Sequence, residues 1–393
     1  MKNELIAATT SHFKSQFGKD PSYVFLSPGR INIIGEHVDY NDGFVLPAAI
    51  DKYVCVAIQP TQNNTIRLIA KDLQDSYAFE YNEPLVPINK TWVNYILGVV
   101  HQLVKSNNNP LGCDIVISSN IPIGAGLSSS AALSCGICYA FNEVFSLGLS
   151  KKEIALIGQL SEHEFAGVKC GIMDQFASVF GKENQVIKLD CNTLEYEYYP
   201  ANFNDYTLLL LDSKVKHTHL TSGYNTRRME VEAGLMQIKS QYAKVASFRD
   251  CTMEMLHNIE NKMDALYYKR CCFVVQEIER VQLAVRALES DDFIALGKLM
   301  TATHEGLSKL YEVSCDELDF LVSKALEDTS VLGARMMGGG FGGCSINLIR
   351  KDAVDDFIFK MQKQYHQHFD IELHGYKINI SQGSSTYHRA TTI

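Results

Sequence analysis

The side chains best equipped for chemistry fall in three places, and the first is SPGRINIIGEHVDYNDG (27–43), where Arg30, Glu36, His37 and Asp39 crowd behind an apolar run. Two carboxylates and an imidazole at this spacing suit a polyhydroxy ligand, because carboxylates accept from neighbouring sugar hydroxyls while a histidine donates or accepts. An arginine at the end of the run suits the negative charge of a transferring phosphoryl group. A polar turn bonding its own backbone would account for any one of these residues, but not for four together.

The second place is PIGAGLSSSA (122–131). Gly124 and Gly126 let backbone N–H groups approach an anion, and the unpaired amides of a helix beginning near Ser128 point at it. A triphosphate fits such a cradle. No Gly-Lys-Ser/Thr follows, so this is not a Walker A loop and the positive charge has to come from elsewhere. A capped helix behind a small-residue turn is the competing reading of this segment. A hydroxyl here can also reach Mg²⁺, which takes a carboxylate as well. LSEHEFAGVKCGIMDQF (160–176) offers Glu162, Glu164 and Asp174, with Glu162 and Asp174 on either side of a turn at 167–171. They can therefore converge from two elements while serving different roles. Asp174, set among Ile172, Met173 and Phe176, is harder to dismiss as a solvated helical acid. The third place is RMMGGGFGGCS (335–345), which holds five of the 26 glycines within six residues. Such a loop lets backbone approach a ligand or another loop, and alone it could equally be a tight turn.

These segments need elements to position them. Apolar, β-branched runs at Tyr23–Ile34, Phe44–Ile50, Tyr53–Ile58, Thr65–Ala70 and Cys113–Ser118 predict strands. Helical spacing predicts helices over Trp92–Lys105, from about Ser128, and over Lys151–Ala166 and Met173–Phe180. Strands at Gln185–Leu189 and Tyr206–Asp212 precede a mostly helical stretch from Tyr224 to about Asp328. The chain then returns to strand within Arg335–Arg350, to helix over Ala353–Phe369 and to strand over Gly375–Ile380. Strands and helices do not alternate regularly, so the pattern predicts an α+β fold rather than a doubly wound sheet. The change from strand-rich to helix-rich composition divides the chain into 1–205 and 206–393.

With 393 residues, 46% hydrophobic and 21% charged, the chain is long enough for two domains and has the composition of a globular enzyme. No stretch approaches the roughly 20 apolar residues of a membrane span, and the amphipathic amino terminus lacks a leader-like apolar region. A cytoplasmic protein is expected, without a membrane role. A formal charge of −9 argues against nucleic acid as a partner. Cys135 and Cys138 lie inside an Ala-rich helical pattern, and Cys271 and Cys272 on an apolar helix face, so burial is expected for both pairs. The His217/His219 and His366/His368 pairs lack the further ligands of a structural metal site.

Taken in order, the three segments resemble the three motifs of the GHMP sugar-kinase superfamily, and GRINIIGEHVDYNDGFVLP (29–47) is similar to the signature of its galactokinase family. CGIMDQF (170–176) and SGYNTRR (222–228) also match. The resemblance implies two domains, an amino-terminal one like ribosomal-protein S5 domain 2 and a ferredoxin-like α/β carboxyl-terminal one, with ATP and sugar between them. It implies Glu36, His37, Val38, Asp39, Gly171 and Tyr224 at the sugar, and Gly124, Ala125, Gly126, Leu127, Ser128, Ser129 and Ser130 at the ATP phosphates. Ser130 and Glu162 would hold Mg²⁺, Asp174 would be the catalytic base and Arg30 would stabilise the transition state. The implied reaction is phosphorylation of the anomeric hydroxyl of D-galactose by MgATP, the first committed step of galactose metabolism, by a monomer with no protein partner. Related readings are a kinase for N-acetylgalactosamine or arabinose, and a non-catalytic galactose sensor. Sensors on this fold are altered in the SSSA run, which is intact here at 128–131.

Overall fold

The computed structural model describes residues 2–215 and 220–389. The His217/His219 pair lies outside the described residues. The first half of the chain runs α1 (Lys2–Phe17), β1 (Tyr23–Asn32), β2 (Phe44–Val45), β3 (Pro47–Pro60), β4 (Thr65–Ala70), β5 (Asp75–Glu80), α2 (Thr91–Lys105), β6 (Cys113–Ser119), α3 (Ser129–Phe145), α4 (Lys151–Ser161), α5 (Met173–Phe180), β7 (Gln185–Asp190) and β8 (Tyr196–Pro200). The second runs β9 (Tyr206–Asp212), α6 (Leu220–Gln241), α7 (Met253–Ile259), α8 (Ala265–Glu289), α9 (Phe293–Lys309), α10 (Asp316–Leu326), β10 (Val331–Met336), β11 (Cys344–Arg350), α11 (Val354–Phe369), β12 (His374–Lys377) and β13 (Ser385–Arg389).

Six strands form one sheet in the order β13-β1-β3-β6-β4-β5, antiparallel except for the β4–β6 pair. Its central strands are apolar on both faces, and the two-residue period of a strand sorts them. Val24, Leu26, Tyr53, Cys55 and Ala57 pack against Ile6 and Phe13 of α1. Their neighbours Phe25, Val54, Val56 and Ile58 face the main core with α3 and α5. The segments expected as two strands, 44–50 and 53–58, are the short β2 and one long β3, whose pairing with β1 changes register across Ile50–Lys52, where the break was expected. A second sheet, β10-β11-β9-β12, is wholly antiparallel. Leu209 and Leu211 of β9 lie with Phe357, Met361 and Tyr365 of α11, while Leu208 and Leu210 face the main core. A small third sheet, β2-β7-β8, packs beside the first.

β13 pairs with β1, and Ile50 bridges Ile380, so the end of the chain returns to the first sheet after completing the second. The architecture is α+β, as the pattern predicts. Cys135, Cys138, Cys271 and Cys272 are buried, as expected. No described helix is long and apolar enough to cross a membrane.

Candidate active site

β1 is the platform of the site. Its register with β3 shifts between Pro28 and Arg30, where Gly29 alone stands opposite Ile50–Lys52, and Arg30 pairs with Ala49 beyond the irregularity. The Arg30 N–H donates to the Leu127 carbonyl at 3.1 Å. A side chain at Gly29 would meet that same carbonyl at 2.6 Å, so the loop ending at Leu127 can seat on the strand only over a glycine. The Arg30 side chain then reaches α5. Nε donates to Asp174 Oδ1 at 2.6 Å, Nη2 to Oδ2 at 2.9 Å, and Nη1 to the Gly126 carbonyl at 2.6 Å. One guanidinium thereby joins the β1 strand, the glycine-serine loop and the first turn of α5 through a bidentate pair.

The loop before α3 is built for an anion. Gly124 and Gly126 have φ of 79° and 72°, which the loop's turns require. Ser128, at the N-cap of α3, is itself left-handed and makes no side-chain cap. Its Oγ donates instead to Asp174 Oδ2. The amides of the first turn therefore have no serine oxygen across them and face the cleft lined by Ser128, Ser129 and Ser130.

The turn after β1 supplies the other wall. Glu36 is buried, and burial opposes its charge. Arg335 and Arg30 outweigh that cost, helped by the Gly338 amide and Asn32, so its pKa stays below the usual carboxylate value. Arg335 Nη1 donates to Glu36 Oε1 at 3.0 Å, Gly338 N to Oε1 at 2.8 Å, and Asn32 Nδ2 to Oε2 at 2.7 Å. His37 has φ of 60°, and its Nδ1 bonds Tyr40 Oη at 2.8 Å while its Nε2 is buried without a partner. Burial pushes its pKa down to about 4 despite the nearby Glu36. Asp39 is pushed up to about 7, first by burial and then by the charges of Asp174 and Glu36. A Cβ at Gly171 would stand 2.1 Å from Asp39 Oδ2, so glycine there makes room for the carboxylate. Tyr224 of α6 closes this side, its ring centroid 5.3 Å from that of His37.

Glu162 sits where α4 passes into a single π-helical turn, Glu162–Ala166. Gln175 Nε2 donates to its Oε1 at 2.7 Å, and no basic group forms an ion pair with it among the described residues. Burial, then the nearby Asp174 charge, raises it to about 7, and the Ser130 hydroxyl bonds it. A buried carboxylate beside a hydroxyl, with no ion pair of its own and only the more distant Arg30 to oppose its charge, is a hard-oxygen donor set that fits Mg²⁺. Among the described residues there is no cluster of three or more His, Cys, Asp or Glu that could cage a metal. Mg²⁺ characteristically shares its sphere with substrate phosphates, so a two-residue protein contribution is adequate.

Thirteen of the sixteen expected site residues line this one cleft; Val38, Ala125 and Gly171 do not. Val38 and Ala125 are fully buried, and the Val38 carbonyl accepts from the Asn41 and Gly43 amides, so it shapes the turn. Arg227 and Arg228 of the SGYNTRR segment are occupied by Glu230 and Glu232 as helical ion pairs. The glycine loop 338–343 folds over the cleft, and Gly338, Gly339, Gly340 and Gly342 line it. Sequence reasoning missed the role of Arg335, which is wholly buried and also holds the Asn32, Ile33 and Met336 carbonyls. A lone arginine inside an apolar strand was the available signal. Tyr95 and Cys170, also missed, line the cleft near Ser130 and Gly171. No comparable signal marked them.

Three family models match the chain: the galactokinase galactose-binding signature over 11–60, the GHMP kinases N terminal domain over 94–182 and the GHMP kinases C terminal over 284–367. A galactokinase of Thermotoga maritima is 43% identical over 357 residues, covering 91% of this chain and 98% of that protein. One of Clostridium perfringens is 38% identical, covering 95% and 97%. Among solved structures, Lactococcus lactis galactokinase complexed with galactose aligns with a TM-score of 0.93 at 32% identity, covering 97% of this chain and 99% of that one. The mevalonate kinase of Methanococcus jannaschii shares the fold at a TM-score of 0.59 and 22% identity, covering 91% and 98%.

Proposed function

The chain belongs to the GHMP kinases and, within them, to the galactokinases, and from that membership we propose that it moves the γ-phosphoryl group of ATP to the anomeric hydroxyl of D-galactose, releasing α-D-galactose 1-phosphate and ADP. The observation that carries this reading is the position of Asp174. Its carboxylate is held by Arg30 and Ser128 at the point where the serine-lined loop meets the Glu36–Asp39 turn. A nucleophile on one side and a phosphate on the other would meet there.

In this mechanism the sugar lies against Glu36, His37, Asp39 and Tyr224, with Gly171 leaving space for Asp39. The triphosphate lies along the Gly124–Ser130 backbone, whose amides supply dipoles rather than full charges. Asp174 accepts the proton of the attacking hydroxyl. Oδ1 and Oδ2 retain lone pairs while Arg30 and Ser128 fix the plane of the carboxylate, so the acceptor is oriented before the substrate arrives. The Arg30 guanidinium stands next to the transferring group and offsets charge on its equatorial oxygens. Mg²⁺ held through Ser130 and Glu162 would neutralise charge on the phosphate oxygens. The rest is positioning, as in phosphoryl transfer generally, where the protein has little covalent chemistry to perform.

The test is ADP release from MgATP against galactose, N-acetylgalactosamine, arabinose, mevalonate and homoserine. Turnover confined to galactose is expected. Turnover on another compound with none on galactose refutes the substrate, and galactose binding without any turnover refutes catalysis.

A further inference from the structure

His37 is joined to the second half of the chain by a short hydrogen-bonded chain of hydroxyls. Its Nδ1 bonds Tyr40 Oη at 2.8 Å, and Tyr40 Oη bonds Tyr311 Oη at 2.8 Å. The Tyr311 ring is fully buried, packed at a tilt between His37 at 4.9 Å and Phe273 at 4.8 Å. Its backbone is clamped. Arg227 Nε donates to the Tyr311 carbonyl at 2.7 Å, Arg227 Nη2 to that of Glu312 at 2.9 Å, and Arg270 Nη1 to that of Leu310 at 2.5 Å. The next carbonyl, Val313, accepts from the Phe341 amide of the glycine loop at 2.6 Å. The far end of the chain of hydroxyls is thus a rigid anchor.

The direction of the hydrogen bonds follows from counting protons. The Tyr311 hydroxyl has one partner among the described residues, Tyr40. If Nδ1 carried the imidazole proton and donated to Tyr40, Tyr40 would donate to Tyr311, and the Tyr311 proton would be left buried with no acceptor. An unmade bond to a buried donor costs about 1–3 kcal/mol, enough to select against that arrangement. In the opposite direction Tyr311 donates to Tyr40 and Tyr40 to Nδ1, so both hydroxyl protons have acceptors, and the one proton left over is the ring's own, on the cleft side, where the Gly339 backbone favours a ring N–H. The imidazole proton then sits on Nε2, which makes no well-formed hydrogen bond within the protein, on a residue that lines the cleft beside Gly339. The tautomer at one nitrogen is set by the bond the other nitrogen makes.

We propose that Tyr40 and Tyr311 are positioning residues that hold His37 as its Nε2–H tautomer, so that it offers a hydrogen-bond donor to a hydroxyl oxygen of the sugar. The sugar hydroxyl that accepts from His37 keeps its own proton for a carboxylate of the same turn, Glu36 or Asp39. Pairing a donor histidine with acceptor carboxylates gives the pocket a polarity that an unconstrained imidazole would lack. The depressed pKa of His37 agrees with a ring that stays neutral and relies on its tautomer rather than on charge. This inference rests on the sugar-kinase reading for its ligand but not for its test.

Nitrogen-15 NMR of the histidine-labelled, substrate-free protein reads the tautomer directly. The His37 signals are identified among the 12 histidines as those absent from His37→Gln. The expected result is an unprotonated Nδ1 and a protonated Nε2. Tyr40→Phe keeps the ring and removes the donor, so the tautomers mix, and the galactose KM rises about tenfold, the worth of one well-placed hydrogen bond, while kcat stays within about threefold. Tyr311→Phe weakens the same bias from the far end, with a smaller rise in KM. A wild-type His37 carrying its proton on Nδ1 overturns the proposal whether or not either variant folds. So does a tautomer unmoved by Tyr40→Phe, even if KM changes, since that is what a merely structural role would give. Because the measurement uses the free protein, failure of the galactose assignment leaves its outcome intact.

Discussion

Replacing Gly171 by alanine tests the sugar pocket at its tightest packing. The new methyl would stand 2.1 Å from Asp39 Oδ2, 2.2 Å from Cγ and 2.7 Å from Cβ. It collides with the whole carboxylate, not with the tip of a long flexible chain. Asp39 must change rotamer or the 167–171 turn must retreat. The turn is the stiffer party, because the Cys170 carbonyl accepts from His163 Nε2 at 2.7 Å and from Gln159 Nε2 at 3.2 Å. Asp39 therefore yields. Losing a hydrogen bond to a charged group costs about 1.5–3 kcal/mol, which converts to about a 10- to 150-fold loss of galactose affinity. Overpacking removes a further ~1–3 kcal/mol of stability. Calorimetric titration with galactose, and separately with a non-hydrolysable ATP analogue, reads the two ligands apart, and only the first is expected to weaken. Asp39→Ala supplies the control. If the clash is the mechanism, adding Gly171→Ala to Asp39→Ala costs almost nothing more, a strongly non-additive cycle. Galactose affinity within twofold of wild type in the single variant, or additive losses in the double, would refute the reasoning.

Asp174→Asn keeps the shape of the side chain and removes the proton acceptor. Turnover is expected to fall by about 10²–10⁴-fold with galactose affinity little changed, and near-normal turnover eliminates Asp174 as the base. Arg335→Met removes the ion-pair partner of the buried Glu36 and leaves it Asn32, the Gly338 amide and the more distant Arg30 charge, which costs about 3–5 kcal/mol and lowers the urea midpoint; a loss below about 1 kcal/mol would contradict the ion pair. The raised pKa of Asp39, about 7 against an unfolded value of 3.8, means that the folded chain keeps a proton which the unfolded chain releases. The unliganded protein should thus lose stability as pH rises between about 4 and 7, and Asp39→Asn should flatten that part of the profile in urea melts. An unchanged slope in the variant counts against the shift.

What could be read in the sequence was what is local. Arg30 through Asp39, the Gly124–Ser130 loop and the Glu162–Asp174 pair each carry their chemistry within a short segment, and thirteen of the sixteen named residues reach the cleft. The failures are of two physical kinds. β5, β8 and β13 went unpredicted because DSYAFE, YEYYP and STYHR lack a run of apolar β-branched residues, and become strands by pairing with β4, β7 and β1. Arg335 and Tyr311 went unassigned because their meaning depends on partners, Glu36 and Tyr40, that are 299 and 271 residues away. Sequence spacing speaks for one element at a time. A site assembled where the third glycine loop closes over the first motif depends on contacts that no window of sequence contains.

The same long-range contacts answer how a chain of charge −9 holds a triphosphate. Four carboxylates, Glu36, Asp39, Glu162 and Asp174, line the cleft, and among the described residues Arg30 is its one lining arginine or lysine. Arg30 is committed to Asp174, and Arg335, behind the wall, to Glu36. Neither guanidinium is left over as a free countercharge. Beyond the share that Arg30 adds while paired with Asp174, attraction for the anion comes from dipoles, the α3 amides that Ser128 leaves uncapped and the glycine backbone on the opposite wall, together with a cation brought in with the nucleotide. Asp39 and Glu162 are both pushed up to about 7, first by burial and then by the charge of the neighbouring Asp174, so neither carboxyl has its charge fully balanced by the protein. Sugar hydroxyls donating to Asp39, and Mg²⁺ beside Glu162, would supply what is missing to each. Substrate binding then completes the electrostatics of the site, and the cost of holding four acids together is met only when both substrates are in place.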